Sequence, residues 1–128
     1  MRVLLDTHVF LWAAMDDPRL SAFARELIMD PTHELLLSAA SAFEISVKAA
    51  RGRLDLPEDP GTYVSTRIAA FGLVALPISV EHGIEAGTLP AIHGDPWDRL
   101  LIAQARIESI PILTADSQVR RYPVETIW

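Results

Sequence analysis

Four short apolar runs recur along the chain: Val3-Leu4-Leu5, Leu35-Leu36-Leu37, Leu73 to Leu76 and Ile112-Leu113. The first two carry no polar alternation, as expected of strands covered on both faces. Helical patterns fill the gaps between the runs. A short helix is expected over about residues 8–14. Leu20, Phe23, Ala24, Leu27 and Ile28 fall at i, i+3, i+4, i+7 and i+8 and predict an amphipathic helix stopped by Pro31. Ala39 to Ala50 reads as a helix, capped by Ser38 or Ser41 and followed by Gly52. Residues 53–60 read as a loop. Val64, Ile68 and Phe71 mark a helix face ended by Gly72, and residues 79–87 are expected to be helical. Asp95-Pro96 opens a nearly all-apolar, buried helix that runs through Ile107. Residues 117–121 make a short turn or helix, and Val124 to Ile127 is a fifth, edge strand. Strands that alternate with helices throughout predict an α/β fold with a parallel sheet of four to five strands and right-handed crossovers.

A chain of 128 residues suits a single domain, here residues 1–128, with half its residues hydrophobic to build a core. The absence of cysteine excludes disulfides and thiolate metal sites. Asp6 and His8 interrupt the apolar N-terminal stretch, and Asp16-Asp17 ends it before it could span a bilayer. A soluble, cytoplasmic protein with no membrane partner is therefore expected. The net charge of −6 is unlike that of most nucleic-acid binders. A nuclease of this composition needs positive charge from elsewhere, and a divalent cation can supply it.

The chemistry of such sheets gathers beyond the carboxyl ends of the strands. Asp6 follows the first strand and Asp116 the fourth. Glu44 lies in the helix after the second strand, and Asp98 in the first turn of the helix before the fourth. Each acid also has a structural reading. Asp6 can cap a helix, Ser41 to Glu44 fits a capping box, Asp98 suits a helix first turn, and Asp116 can cap a turn. Capping does not require all four to meet at one end of the sheet, and their coincidence is the functional signal. Converging carboxylates repel unless a hard cation with oxygen ligands, such as Mg²⁺ or Mn²⁺, compensates.

The segments LLDTHVFLW, SAASAFEISVKAARGRL, DPWDRLLIAQA and PILTAD carry a resemblance, in their order and spacing, to the VapC-type toxins of the PIN-domain family. The resemblance implies a PIN-like α/β/α sandwich with strand order 3-2-1-4-5. It implies a Mg²⁺ (or Mn²⁺) site formed by Asp6, Glu44, Asp98 and Asp116, and hydrolysis of RNA phosphodiesters. It further implies a homodimer and inhibition by a VapB-type antitoxin in a type II toxin–antitoxin pair. Two alternatives remain. One is a catalytically idle PIN module that binds RNA or protein. The other is a phosphatase of the haloacid-dehalogenase type, in which Asp6 is the nucleophile; that family places a second Asp two positions later, where this chain has His8.

Several neighbours of the acids are candidates for support. Thr7 can hydrogen-bond a carboxylate or phosphate, and Thr114 lies within reach of the Asp116 position. Asp95 is expected to cap its helix before it would touch a metal. Arg99 is placed to orient Asp98 or the substrate. Lys48 should pair with Glu44 one turn away, with Arg51 and Arg53 left open as a basic rim. Trp12, Phe43 and Trp97 are expected in the core. His33, His82 and His93 show no ligand spacing and are expected at the surface.

Overall fold

The computed structural model describes residues 1–128. Five strands, β1 (Arg2–Leu5), β2 (Glu34–Ser38), β3 (Val74–Leu76), β4 (Ile112–Leu113) and β5 (Thr126–Ile127), form one sheet in the order β3-β2-β1-β4-β5. Every pairing is parallel. Helices α1 (Thr7–Ala14), α2 (Ala22–Met29), α3 (Ala39–Ala50), α4 (Pro60–Phe71), α5 (Val80–Thr88) and α6 (Pro96–Glu108) supply the crossovers. The expected α/β architecture and strand order are both present.

The buried strands behave as their unbroken apolar runs require. Successive side chains point to opposite faces, so Val3 and Leu5 enter one core layer while Leu4 enters the other. The first layer adds Phe10 from α1, Leu27 from α2 and Tyr63 from α4. The second adds Leu101, Ile102 and Ala105 from α6. Helix α3 serves both, with Ala40 in the second layer and Ile45 in the first. No helix is long and apolar enough to cross a membrane.

Local chemistry sets the helix boundaries. Ser38 caps α3, its hydroxyl accepting from the Ala40 N–H at 2.9 Å. The same hydroxyl donates to the buried Gln104 Oε1 at 2.5 Å, which fixes α6 against the end of β2. Asp59 caps α4 ahead of Pro60, and Gly72 ends that helix in the left-handed region at φ 63°. Four sequence expectations need correction. Phe23 is 47% exposed on α2, while Ala24, Leu27 and Ile28 of the same helix are buried. His82 is buried: its Nδ1 accepts from the Ser79 N–H, closing a capping box on α5. Neither Phe43 nor Trp97 is in the core; Phe43 is 62% exposed and packs edge-on against a partly buried Trp97. Trp12 is likewise only partly buried, beneath the Arg19 guanidinium.

Candidate functional site

Asp6 occupies the N-cap position of α1 but its side chain makes no capping bond. Its carboxylate turns instead toward β4 and accepts a 2.6 Å hydrogen bond from the Thr114 hydroxyl. Asp6 is only 3% exposed. Burial raises its carboxyl above the ordinary range, and the Thr114 bond and the charge of His8 oppose that rise. The charges of Asp116 and Glu44 add to it.

Asp116 is held by the same threonine, whose Oγ1 accepts from the Asp116 N–H at 3.0 Å. Its carboxylate also accepts from the Gln118 N–H at 2.8 Å, so the turn-capping reading is correct for part of its hydrogen bonding. Asp6 and Asp116 line one cavity of about 240 Å³, with His8, Trp12 and Arg19 on its walls.

The capping-box reading of Ser41 and Glu44 does not hold, because the helix starts three residues earlier at Ser38. Ser41 is buried and bonds to the Thr7 hydroxyl at 2.8 Å, tying α1 to α3. Thr7 therefore braces the site without touching a carboxylate. Glu44 is buried in the body of α3 and pairs with Lys48 Nζ through Oε2 at 2.5 Å. Its other oxygen, Oε1, is buried with no hydrogen-bond partner. Such a group is costly to keep in a folded chain unless a ligand or water serves it.

Asp95 acts as the expected N-cap, its Oδ1 accepting from the N–H groups of Trp97 and Asp98 at 3.0 and 3.1 Å. That cap places Asp98 in the first turn of α6, largely buried. Burial, with the charges of Asp95, Asp6 and Asp116 behind it, pushes the Asp98 carboxyl up to about 7. A hydrogen bond with His93, whose Nε2 lies 3.2 Å from Asp98 Oδ2, opposes the rise. His93 is thus a site residue that its loop position concealed. Arg99 does not orient Asp98 directly. Its guanidinium donates to the carbonyls of Ala86, Leu89 and Pro90 and holds the end of α5.

The charges of Asp116 and Glu44 raise the Asp6 carboxyl and those of Asp6 and Asp116 raise the Asp98 carboxyl, yet no three of the four acids close into a ready-made metal cage. The donor set is all oxygen, incompletely hydrogen-bonded and self-repelling. It fits a hard divalent cation that keeps part of its water shell, as Mg²⁺ does. Beside Glu44 a second cavity of about 250 Å³ runs along Leu11, Trp12, Met15, Ile45 and Leu54, with Lys48 and Arg53 at its rim. The largest depression, about 690 Å³, lies by His93 and Arg99 and contains none of the four acids.

The PIN domain family matches residues 3–125. Ribonuclease VapC22 of Mycobacterium tuberculosis is 32% identical over 98% of both chains. Ribonuclease VapC16 of the same organism is 41% identical over a shorter stretch, 51% of this chain and 48% of that one. Among solved structures, VapBC2 from Rickettsia felis, bound to a DNA fragment from its promoter, superimposes with a TM-score of 0.74. It is 17% identical and covers 99% of this chain and 98% of its own. FitAcB from Neisseria gonorrhoeae gives 0.63 at 18% identity, covering 98% and 96%. By family match, full-length relative and fold, the chain belongs to the PIN-domain family, among its VapC-type members.

Proposed function

We propose that this protein is a divalent-cation-dependent ribonuclease and the toxin of a type II toxin–antitoxin pair. The observation that carries the reading is Glu44 Oε1, a buried carboxylate oxygen with no hydrogen-bond partner, whose charge together with that of Asp116 raises the buried Asp6 carboxyl. Asp6 and Asp98 are the proposed principal ligands of Mg²⁺ or Mn²⁺, with Glu44 and Asp116 binding directly or through water. A bound ion of this kind neutralises phosphodiester charge and acidifies water. The chain's own residues do the rest. Thr114 holds Asp6 as an acceptor, Lys48 restrains Glu44 on one side, and the Asp95 cap fixes the start of α6. Lys48 and Arg53 offer the phosphate backbone two of the few cations near an acidic pocket. The relatives named as ribonucleases support RNA as the substrate.

The proposed partner is a VapB-type antitoxin, in line with the VapBC complexes that share the fold. An antitoxin segment with an Arg or Lys aimed at Asp6 and Asp98 would replace the cation's charge. Its apolar part would lie along Leu11, Ile45 and Leu54. A cytoplasmic homodimer belongs to the same proposal. The test is incubation of end-labelled RNA with the purified protein in Mg²⁺, Mn²⁺ or EDTA, followed by end mapping. Cleavage that needs the ion and leaves 5′-phosphate and 3′-hydroxyl ends is expected. Ion-independent cleavage would contradict the cation site, and no cleavage in either metal would leave a binding module instead.

A further inference from the structure

His93 is joined to the candidate site on one side and to a buried tyrosine on the other. Its Nε2 lies 3.2 Å from Asp98 Oδ2, and its Nδ1 lies 2.7 Å from the Tyr122 hydroxyl. Tyr122 is 3% exposed, so its hydroxyl is served by protein. Two donors point at that phenol oxygen: the His93 N–H at 3.1 Å and Arg99 Nη1 at 3.4 Å. They take up its lone pairs, and its own proton must go elsewhere. Two acceptors are in reach, His93 Nδ1 at 2.7 Å and the His93 carbonyl at 3.3 Å. The shorter contact wins, which makes Nδ1 an acceptor. The single N–H of a neutral ring then sits on Nε2 and donates to Asp98.

We propose that His93, locked in this tautomer by Tyr122, is a positioning residue that holds Asp98 as a cation ligand. The inference rests on the ribonuclease reading above and adds an outer ring of residues to it. Arg99, anchored on the end of α5, steadies Tyr122; Tyr122 orients His93; His93 satisfies Asp98 Oδ2 and leaves Oδ1 without a protein partner. An outer hydrogen bond of this kind fixes a ligand's orientation before the ion arrives, and losing one commonly weakens metal affinity by roughly 10- to 100-fold. The carboxylate on the far side of the site, Asp6, has its own such donor in Thr114. The two proposed principal ligands are therefore each held by one donor from outside the cluster.

The experiment is Mn²⁺ binding by calorimetry on the full chain, with melting curves to verify folding. His93→Leu should weaken binding about tenfold or more. Tyr122→Phe should give a smaller loss, because the ring stays but its tautomer is no longer fixed. His93→Gln, whose amide N–H can still donate, should recover most of the affinity. In an Asp98→Asn background, His93→Leu should change nothing further. Wild-type affinity in His93→Leu, or an equal loss with and without Asp98, overturns the positioning role while leaving the metal site intact. A wild type that binds no Mn²⁺ overturns the ribonuclease reading itself and this inference with it.

Discussion

The Thr114 hydroxyl donates to Asp6 Oδ2 at 2.6 Å, joining the ends of β4 and β1 across 108 positions of sequence. The same oxygen accepts the Asp116 N–H at 3.0 Å. One buried side chain thus sets two of the four acids. Thr114→Val keeps the shape and removes both bonds. It should lower stability by about 1–3 kcal/mol, the usual cost of leaving a buried polar group without its hydrogen-bond partner. Thr114→Ser should stay near wild type. Urea unfolding of the metal-free proteins reads the difference, and equal stability of Val and wild type would mean that the Asp6 carboxylate is served by another group.

Asp98 makes metal-free stability depend on pH. Its folded carboxyl is pushed up to about 7 by burial first and by Asp95 and Asp6 second. The folded chain therefore holds this proton more tightly than the unfolded chain. That contribution to stability is complete below the unfolded value, near 4, and is lost as pH rises through about 7. Asp98→Asn removes the titration. In EDTA at pH 8 the variant should melt above wild type, and the gap should close as pH falls toward 4. The upper limit of the gap is about 4 kcal/mol from the size of the shift. A variant that melts below wild type across this range would mark Asp98 as a stabilising first-turn residue only.

Lys48 is the one cation bonded to Glu44, through Oε2 at 2.5 Å. Lys48→Met leaves a buried carboxylate without a countercharge. The metal-free variant should lose about 1–3 kcal/mol, less than a fully buried pair because Lys48 is partly exposed. A cation placed near Glu44 would replace the missing charge, so Mg²⁺ should stabilise Lys48→Met more than wild type. Thermal shifts with and without Mg²⁺ decide it, and equal shifts would place the ion away from Glu44.

The groove beside Glu44 gives a prediction for the antitoxin. Leu54 lines it together with Leu11 and Ile45, and packs only partly against the core. Leu54→Ala should weaken a co-expressed partner by about tenfold or more while leaving RNA cleavage by the free protein within about twofold, since it removes an apolar contact worth about 1–3 kcal/mol and adds no charge beside Lys48 and Arg53. Unchanged affinity, measured by calorimetry, would put the partner on another face.

Much of this architecture was legible in the sequence because its signals are local. The unbroken runs at Val3–Leu5 and Leu35–Leu37 announce two-sided burial, and Asp95-Pro96 announces a helix start; both appear as expected. The acids at strand ends were legible for the same reason, since position after a strand is a chain-order property. The supports of Asp98 were not. His93 sits in a loop five residues before Asp98, and Tyr122, which orients its ring, meets it only after β4 and the turn beyond it. Arg99 follows Asp98 in sequence, but successive helical residues point about 100° apart, so it faces α5 instead. Residue type alone places Phe43 in the core, while on α3 it lies one residue from Glu44, on the helix face left exposed when Glu44 and Ile45 turn inward.

In the proposed ribonuclease, Asp6 and Asp98 hold the cation on which cleavage depends. Single-turnover cleavage of RNA in saturating Mn²⁺, by wild type, Asp6→Asn and Asp98→Asn of verified fold, tests it most directly. Each substitution should slow cleavage by about 100-fold or more, as expected when a ligand of a catalytic ion is lost, and EDTA should abolish the wild-type reaction. Full cleavage by both variants, or wild-type cleavage that survives EDTA, would contradict the account.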